Sequence, residues 1–178
     1  MNNLNKDITL EQWDASRLSF LSQYLFSRFG DRYHFNPESS VRLLRKHLTS
    51  PVSLVVYVDT GSEDIVNLPH DDKLTITSSG TMHQNISKHH GINIITLEEA
   101  VARLQPKSYK NMYVEVASSI YESNFDYLSK ALMELKNLAS INRIIGAYEA
   151  MDMKAESAKL KIIMDAVFPD VKPLNPFV

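Results

Sequence analysis

The chain contains no cysteine among its 178 residues. Disulfide bonds, cysteine-ligated zinc or iron–sulfur sites and a thiol nucleophile are therefore excluded. Glycine is also scarce, at five residues, and neither a G-x-x-x-x-G-K-[ST] nor a G-x-G-x-x-G loop occurs. These absences exclude the glycine-rich phosphate loops of P-loop proteins and dinucleotide-binding proteins.

Long apolar runs and a strong net charge are missing as well. The longest apolar run covers residues 54–58, whereas a membrane-spanning helix needs about 20 apolar residues. The polar amino end has no apolar signal-peptide core, and we expect a cytoplasmic protein with no membrane partner. The net charge of −2 consists of +2 in residues 1–50, −4 in residues 51–106 and 0 in residues 107–178. No segment therefore has the charge of a polyanion-binding arm.

The first 50 residues predict two helices. Thr9 and Gln12 form the T-x-x-Q pattern of a capping box, and apolar residues recur at helical spacing from about residue 10 to residue 29. Asn36 followed by Pro37 is typical of a helix cap and first helical position. A second helix is therefore predicted from Pro37, ending before Pro51.

The middle of the chain predicts strands at residues 52–58, 73–77 and 92–95, with a short helix at about 82–89 and another from residue 97 to about 104. The first strand is apolar on both faces, as in a sheet covered on both sides. A strand–helix–strand unit closes by a right-handed crossover, so its strands are expected to be parallel. The predicted fold is α/β, with a small, mostly parallel sheet of about three strands within residues 52–95.

The last third predicts a larger helical portion. Residues 109–120 fit a helix, although 112–116 alone also fit a strand, and one amphipathic helix is predicted over residues 124–148. We expect an α/β domain at 1–106 and a helical extension at 107–178 that together form one globular unit. The proline-containing end is either docked through Leu174 and Phe177 or free.

Three acidic and basic side chains suggest a catalytic alternative. Asp59 ends the first predicted strand, and Asp71 and Lys73 lie at the start of the next. Carboxylates bind divalent cations, and a nearby lysine can orient the attacking water. A metal-dependent phosphodiesterase or nuclease is therefore one hypothesis, and a solvated polar loop is the other.

A second alternative is a phosphate or nucleotide site at Ser78, Ser79, Gly80 and Thr81. This segment joins a predicted strand to a predicted helix, where free backbone N–H groups favour an anion. An ordinary capped turn uses the same residue types.

Basic residues could also contact nucleic acid, with Tyr33 and Phe35 placed between them to stack on bases. The candidate contacts are Arg28, Arg32, Arg42, Arg45 and Lys46. Their small number and the negative net charge fit a solvated helix face equally well. His83, His89 and His90 do not have the i, i+4 spacing of a helical metal site, so no metal and no cofactor is expected.

No coherent catalytic set emerges from these patterns. The carboxy-terminal helices carry a long apolar stripe accompanied by methionines, which adapt to irregular binding surfaces. The sequence therefore favours a non-catalytic cytosolic binding or regulatory protein, which acts through a protein–protein interface or by self-association.

Overall fold

The structure is a computed structural model, and it describes residues 8–79 and 85–178. Internal contacts divide the chain into two units, Met1–Thr96 and Leu97–Val178. The first contains helices and strands and is called the sheet unit, and the second is called the helical unit. The division falls after Thr96, whereas the sequence placed it after residue 106.

The sheet unit begins with two helices at the predicted positions. They are α1 (Leu10–Phe29) and α2 (Pro37–Leu44). At the start of α1, Gln12 N–H donates to Thr9 Oγ1 at 3.2 Å, and Thr9 N–H donates to Gln12 Oε1 at 2.9 Å. At the start of α2, Ser39 N–H donates to Asn36 Oδ1 at 2.8 Å. Both capping predictions are confirmed.

Six strands are found in the described part of this unit. They are β1 (Tyr33–Phe35), β2 (Ser53–Val58), β3 (Asp64–Asn67), β4 (Lys73–Ser78), β5 (Ile86–His89) and β6 (Ile92–Ile95). The first four form one sheet in the order β1-β2-β4-β3. β2 and β4 are parallel, whereas β1 and β3 are antiparallel to their neighbours. The α/β class is confirmed, but the sheet is mixed, and β1 and β3 were missed because short strands with few apolar residues give little signal.

β5 and β6 form an antiparallel hairpin in place of the predicted helix and crossover. Residues 86–89 of the predicted helix are strand β5, and the rest of that prediction falls partly outside the described residues. His90 and Gly91 form the two-residue turn, with φ values of 47° and 78°. Two positive φ angles are typical of a type I′ turn. β6 pairs with β5 in a two-stranded sheet separate from β4, so the predicted parallel pairing of residues 73–77 with residues 92–95 is wrong.

α1 and the sheet share one hydrophobic core. α1 contributes Trp13, Leu21, Leu25 and Phe29, and the sheet contributes Leu54, Val56, Val58, Leu74 and Ile76. The opposite face of β2 is half-buried, with Val55 and Tyr57 there. The expectation that residues 52–58 are buried on both faces is therefore only partly met.

Gly91 is expected to resist substitution. It has a positive φ, and an added Cβ would lie 2.7 Å from Ser22 Oγ, the atom that donates to Gly91 O. We expect Gly91→Ala to lower the free energy of unfolding by about 1–2 kcal/mol through left-handed strain and this contact. Urea denaturation measures the change, with Gly61→Ala as control because nothing lies within 4 Å of a Cβ there. Equal stabilities for the two variants would contradict the prediction.

In the helical unit, residues 97–165, which are all described, form helices joined by short connections. They are α3 (Leu97–Ala102), α4 (Pro106–Asn111), α5 (Tyr113–Glu122), α6 (Phe125–Leu135), α7 (Leu138–Ala150) and α8 (Lys154–Asp165). The helix predicted at 109–120 is confirmed, with a break at Met112 (φ −134°, ψ 46°). The single helix predicted at 124–148 is wrong in extent. Lys136 has left-handed backbone angles, and Asn137 Oδ1 accepts from Ser140 N–H to begin α7.

The carboxy-terminal end of the chain docks on its own unit. Leu174 N–H donates to Asn142 O at 3.0 Å, and Lys172 N–H donates to Asn142 Oδ1 at 2.9 Å. The ring of Phe177 lies 5.9 Å from that of Tyr109 and 4.8 Å from that of Tyr113, measured between centroids. Phe177 thus contributes its side chain to docking, whereas Leu174 contributes its backbone and exposes its side chain.

No helix in residues 8–79 or 85–178 combines the length and the apolar character needed to cross a membrane.

Candidate functional site

A cleft in the sheet unit brings together α1, the connection between α2 and β2, and the β5–β6 turn. Its volume is about 470 Å³, which is within the range of small-molecule sites. The apolar wall is formed by Leu10, Leu18, Leu43 and Leu48. The polar lining includes Asp14, Arg17, Lys46, Ser50, His89 and His90. We call this the basic cleft, because all but two of these polar side chains are basic.

Arg17 is buried at the base of the basic cleft, and each of its guanidinium nitrogens has a neighbour. Nη1 donates to Leu48 O at 2.5 Å, and Nη2 donates to Asp14 Oδ1 at 2.8 Å and to Ser50 Oγ at 2.6 Å. Nε lies 2.9 Å from Asp72 Oδ2. Arg17 therefore holds α1 against the segment before β2 and fixes the position of Ser50.

Asp72 lies behind Arg17 and is almost completely buried, with 1% of its surface exposed. Its Oδ2 accepts from Trp13 Nε1 at 2.7 Å, and its Oδ1 accepts from Val52 N–H at 2.9 Å. The carboxylate therefore balances the charge of Arg17 and joins α1, β2 and β4. Burial of two charges is tolerated because both are paired and hydrogen-bonded.

Lys46 occupies an unusual backbone position at the end of α2. His47 N–H donates to Arg42 O at 2.9 Å and Lys46 N–H to Leu43 O at 3.3 Å, which is the Schellman pattern. Lys46 itself has a φ of 56°, at the position where glycine is preferred. Its exposed ammonium forms no ion pair within the described residues. The turn thus places an unpaired cation on the rim of the cleft.

His89 and His90 form the opposite side of the cleft. Their rings are nearly perpendicular, with centroids 4.5 Å apart. Burial lowers the pKa of His89, and the charges of His90 and Lys46 lower it further. The Nε2 atom of His89 is buried and has no hydrogen-bond partner in the described part of the chain. A buried polar atom of this kind requires a partner.

The three residues of the predicted metal site lie at opposite ends of the sheet. Asp59 follows the last residue of β2, whereas Lys73 is the first residue of β4 and Asp71 ends the short 3₁₀ helix Pro69–Asp71 just before it. Because β2 and β4 are parallel and Ser53 is opposite Lys73, the two ends are about 20 Å apart at roughly 3.3 Å per residue. The structure therefore does not bring these side chains together. No group of three or more His, Asp or Glu residues suited to a metal ion occurs within residues 8–79 and 85–178.

Most of the basic residues predicted to contact nucleic acid are paired with carboxylates. The pairs are Arg28 with Asp64 at 3.0 Å, Arg32 with Asp59 at 3.8 Å, and Arg42 with Glu38 at 3.2 Å. Arg45 is the half-buried C-cap residue of α2, and Lys46 lines the basic cleft. These five side chains do not present a row of unpaired cations.

The predicted phosphate loop is only partly described. Ser78 is the last residue of β4, and Ser79 N–H donates to Val58 O at 2.9 Å, which extends the pairing with β2. Gly80 and Thr81 lie outside the described residues. The amide of Ser79 is thus used by the sheet.

Sequence reasoning missed Arg17 although the sequence carries a signal for it. Arg17 lies four residues from both Trp13 and Leu21, on the stripe that α1 buries. A charged residue on a buried stripe must have a partner of opposite charge. The pattern of α1 therefore indicates an internal ion pair, but it does not identify Asp72 as the partner.

Comparison of the chain with protein-family models, with curated proteins and with solved structures gives no match.

Proposed function

We propose that the chain is a non-catalytic cytosolic binding or regulatory protein, which acts through a protein–protein interface on the helical unit. The observation that carries the proposal is the outward face of α5. Val114 is 66% exposed and Tyr121 is 69% exposed. They are seven residues apart, about two helical turns, and so lie on the same face. Tyr113 is exposed on the same helix.

The core of the helical unit does not require Val114 or Tyr121, whereas Tyr113 also contacts the ring of Phe177. α5 already buries Val116, Ser119 and Ile120 on its inner face. Tyrosine is enriched at protein interfaces because its ring supplies contact area and its hydroxyl a hydrogen bond. The exposed side chains of Val114 and Tyr121 therefore favour a partner that covers them.

The experiment compares the wild-type chain with a Val114→Lys/Tyr121→Lys variant. A tagged chain is used to capture partners from a lysate of the source cells, and light scattering after size exclusion is measured across a dilution series. We expect the affinity of the variant for its partner, or for a second copy of the chain, to fall by about tenfold or more, because the substitutions lie at the centre of the proposed interface. Both substitutions are on an exposed face, so the free energy of unfolding is expected to stay within about 0.5 kcal/mol.

The control is Ile162→Lys, which adds one lysine, half the charge of the double variant, on α8 at a residue that is 74% exposed. We expect this variant to bind like the wild type. A wild-type chain that is strictly monomeric and captures nothing would contradict the proposal. Loss of binding in the Ile162 variant alone would reject the α5 face.

A further inference from the structure

We propose that the basic cleft binds a small anionic ligand, a phosphate monoester or a carboxylate, whose apolar portion lies against the leucine wall. The cleft is confined to the sheet unit, so this inference is independent of the interface on the helical unit. It rests on the charges that line the cleft, on two unusual backbone positions and on an unpartnered ring nitrogen.

The charges of the cleft favour an anion. Arg17 is paired with both Asp72 and Asp14, so these three groups together carry one negative charge, which Lys46 brings to zero. Lys46 is nevertheless the lining cation without an ion pair in the described part of the chain, and protonation of His89 would add a positive charge beside it. An ammonium and two imidazoles bind anionic oxygens through charge-assisted hydrogen bonds.

Arg17 is a positioning residue in this arrangement, since its guanidinium nitrogens already have neighbours. It fixes Ser50, whose Oγ accepts from Nη2 and keeps its own hydroxyl proton for donation. Ser50 thus adds a neutral donor to the cleft that Lys46 also lines. Leu10, Leu18 and Leu43 supply an apolar surface for the remainder of the ligand.

Two separate turns place nitrogen-bearing side chains on the cleft at left-handed backbone positions. Lys46 occupies the glycine position of a helix end, and His90 occupies a turn position where asparagine or glycine is preferred. Two of the seven left-handed residues other than glycine among the described residues therefore line this one cleft. The buried Nε2 of His89, which has no partner within the described residues, lies in the same part of the structure. These features are explained together by a ligand that contacts the cleft.

The test is calorimetric titration of the full chain at pH 6 with hexyl phosphate, hexanoate and hexanol. We expect at least one of the two anions to bind and hexanol to bind at least tenfold more weakly. Binding of hexyl phosphate alone identifies a phosphate monoester, binding of hexanoate alone identifies a carboxylate, and binding of both shows that the anionic group is recognised in either form. If neither anion binds, or if hexanol binds as tightly, the proposal is wrong.

Lys46→Gly separates a binding role from a structural one. Glycine suits this backbone position, so the melting temperature of the ligand-free variant is expected to equal or exceed that of the wild type. The affinity for the anion is expected to fall at least tenfold. Lys88→Gln is the control, because Lys88 is a lysine of β5 that is paired with Asp31 at 3.0 Å and is not among the cleft residues. An unchanged affinity in Lys46→Gly would overturn the proposal.

Two further variants test the charges directly. Asp14→Asn removes the one acidic side chain of the described lining and is expected to raise the affinity severalfold. Wild-type affinity is expected to be higher at pH 6 than at pH 8, because a bound anion favours the protonated form of His89, whose pKa is lowered in the ligand-free protein by burial and by the nearby charges of His90 and Lys46. In the His89→Gln/His90→Asn variant the affinity is expected to be the same at pH 6 and pH 8, since neither replacement titrates. A gain that persists in the double variant would contradict the role of the histidines.

Discussion

Replacement of Asp72 by asparagine is expected to lower the free energy of unfolding by about 3–5 kcal/mol, the range measured when one partner of a buried ion pair is removed. Asparagine preserves the shape of the side chain but removes the charge that faces Arg17 Nε at 2.9 Å. Its amide nitrogen would also face a donor, either Val52 N–H or Trp13 Nε1. A buried group would therefore lose its hydrogen bond.

The matched control is Asp71→Asn. Asp71 is the preceding residue, is exposed, and has a φ of 61° that asparagine tolerates. We expect its stability to stay within about 0.5 kcal/mol of the wild type. Urea denaturation followed by fluorescence is well suited to the comparison, because Trp13 is the chain's one tryptophan and contacts Asp72 directly. If the two variants unfold at the same urea concentration, the buried ion pair does not stabilise the fold.

The second large effect is expected at Gly146. Within a helix, Gly→Ala normally stabilises by about 1 kcal/mol, and Gly146 lies inside α7. An added Cβ here would lie 2.1 Å from Leu174 O and 2.3 Å from Leu174 C. Both are backbone atoms, so the docked end of the chain has to move away. We therefore expect Gly146→Ala to destabilise the protein by about 2–4 kcal/mol, which corresponds to the apolar burial lost with Phe177 and its neighbours.

Hydrogen exchange and truncation test whether Gly146→Ala destabilises the protein because of the docked carboxy-terminal end. In Gly146→Ala, the amide of Leu174 is expected to lose its protection, because its bond to Asn142 O breaks. In a chain that ends at Val171, the same substitution is expected to become stabilising, since the contact is gone. Gly61→Ala, with no atom within 4 Å of its Cβ, serves as control in both chains. A higher melting temperature for Gly146→Ala in the full chain would mean that residue 174 does not dock there.

Local signals account for the parts of the fold that the sequence predicted correctly. The limits of α1 follow from the capping box at Thr9, the apolar stripe and Gly30, all within one segment. The break between α6 and α7 was missed because the apolar period continues through it. Only the left-handed angles of Lys136 and the cap made by Asn137 mark the boundary.

The candidate site could not be assembled from the sequence because its parts are distant along the chain. Lys46 was considered as a nucleic-acid contact, whereas His89 and His90 were considered together as metal ligands. The helix predicted at 82–89 placed His89 on its last turn and His90 directly after it, whereas the structure places them at the end of β5 and in its turn. Asp72 has exposed neighbours on both sides, so its local pattern is that of a surface loop. Its burial follows only from the packing of α1 against β4.

The hydrogen bonds of α1 join it to residues that are synthesised much later than α1 itself. Trp13 and Asp72 are separated by 59 residues, and Ser22 and Gly91 by 69. At about 5–20 residues per second, α1 precedes its partners by roughly 3–14 s. Until β4 has been synthesised, the apolar stripe of α1 lacks the part of its core that Leu74 and Ile76 supply. In the helical unit α7 packs against α8, the helix that directly follows it. The time between synthesis of a helix and synthesis of its packing partner is therefore much shorter there.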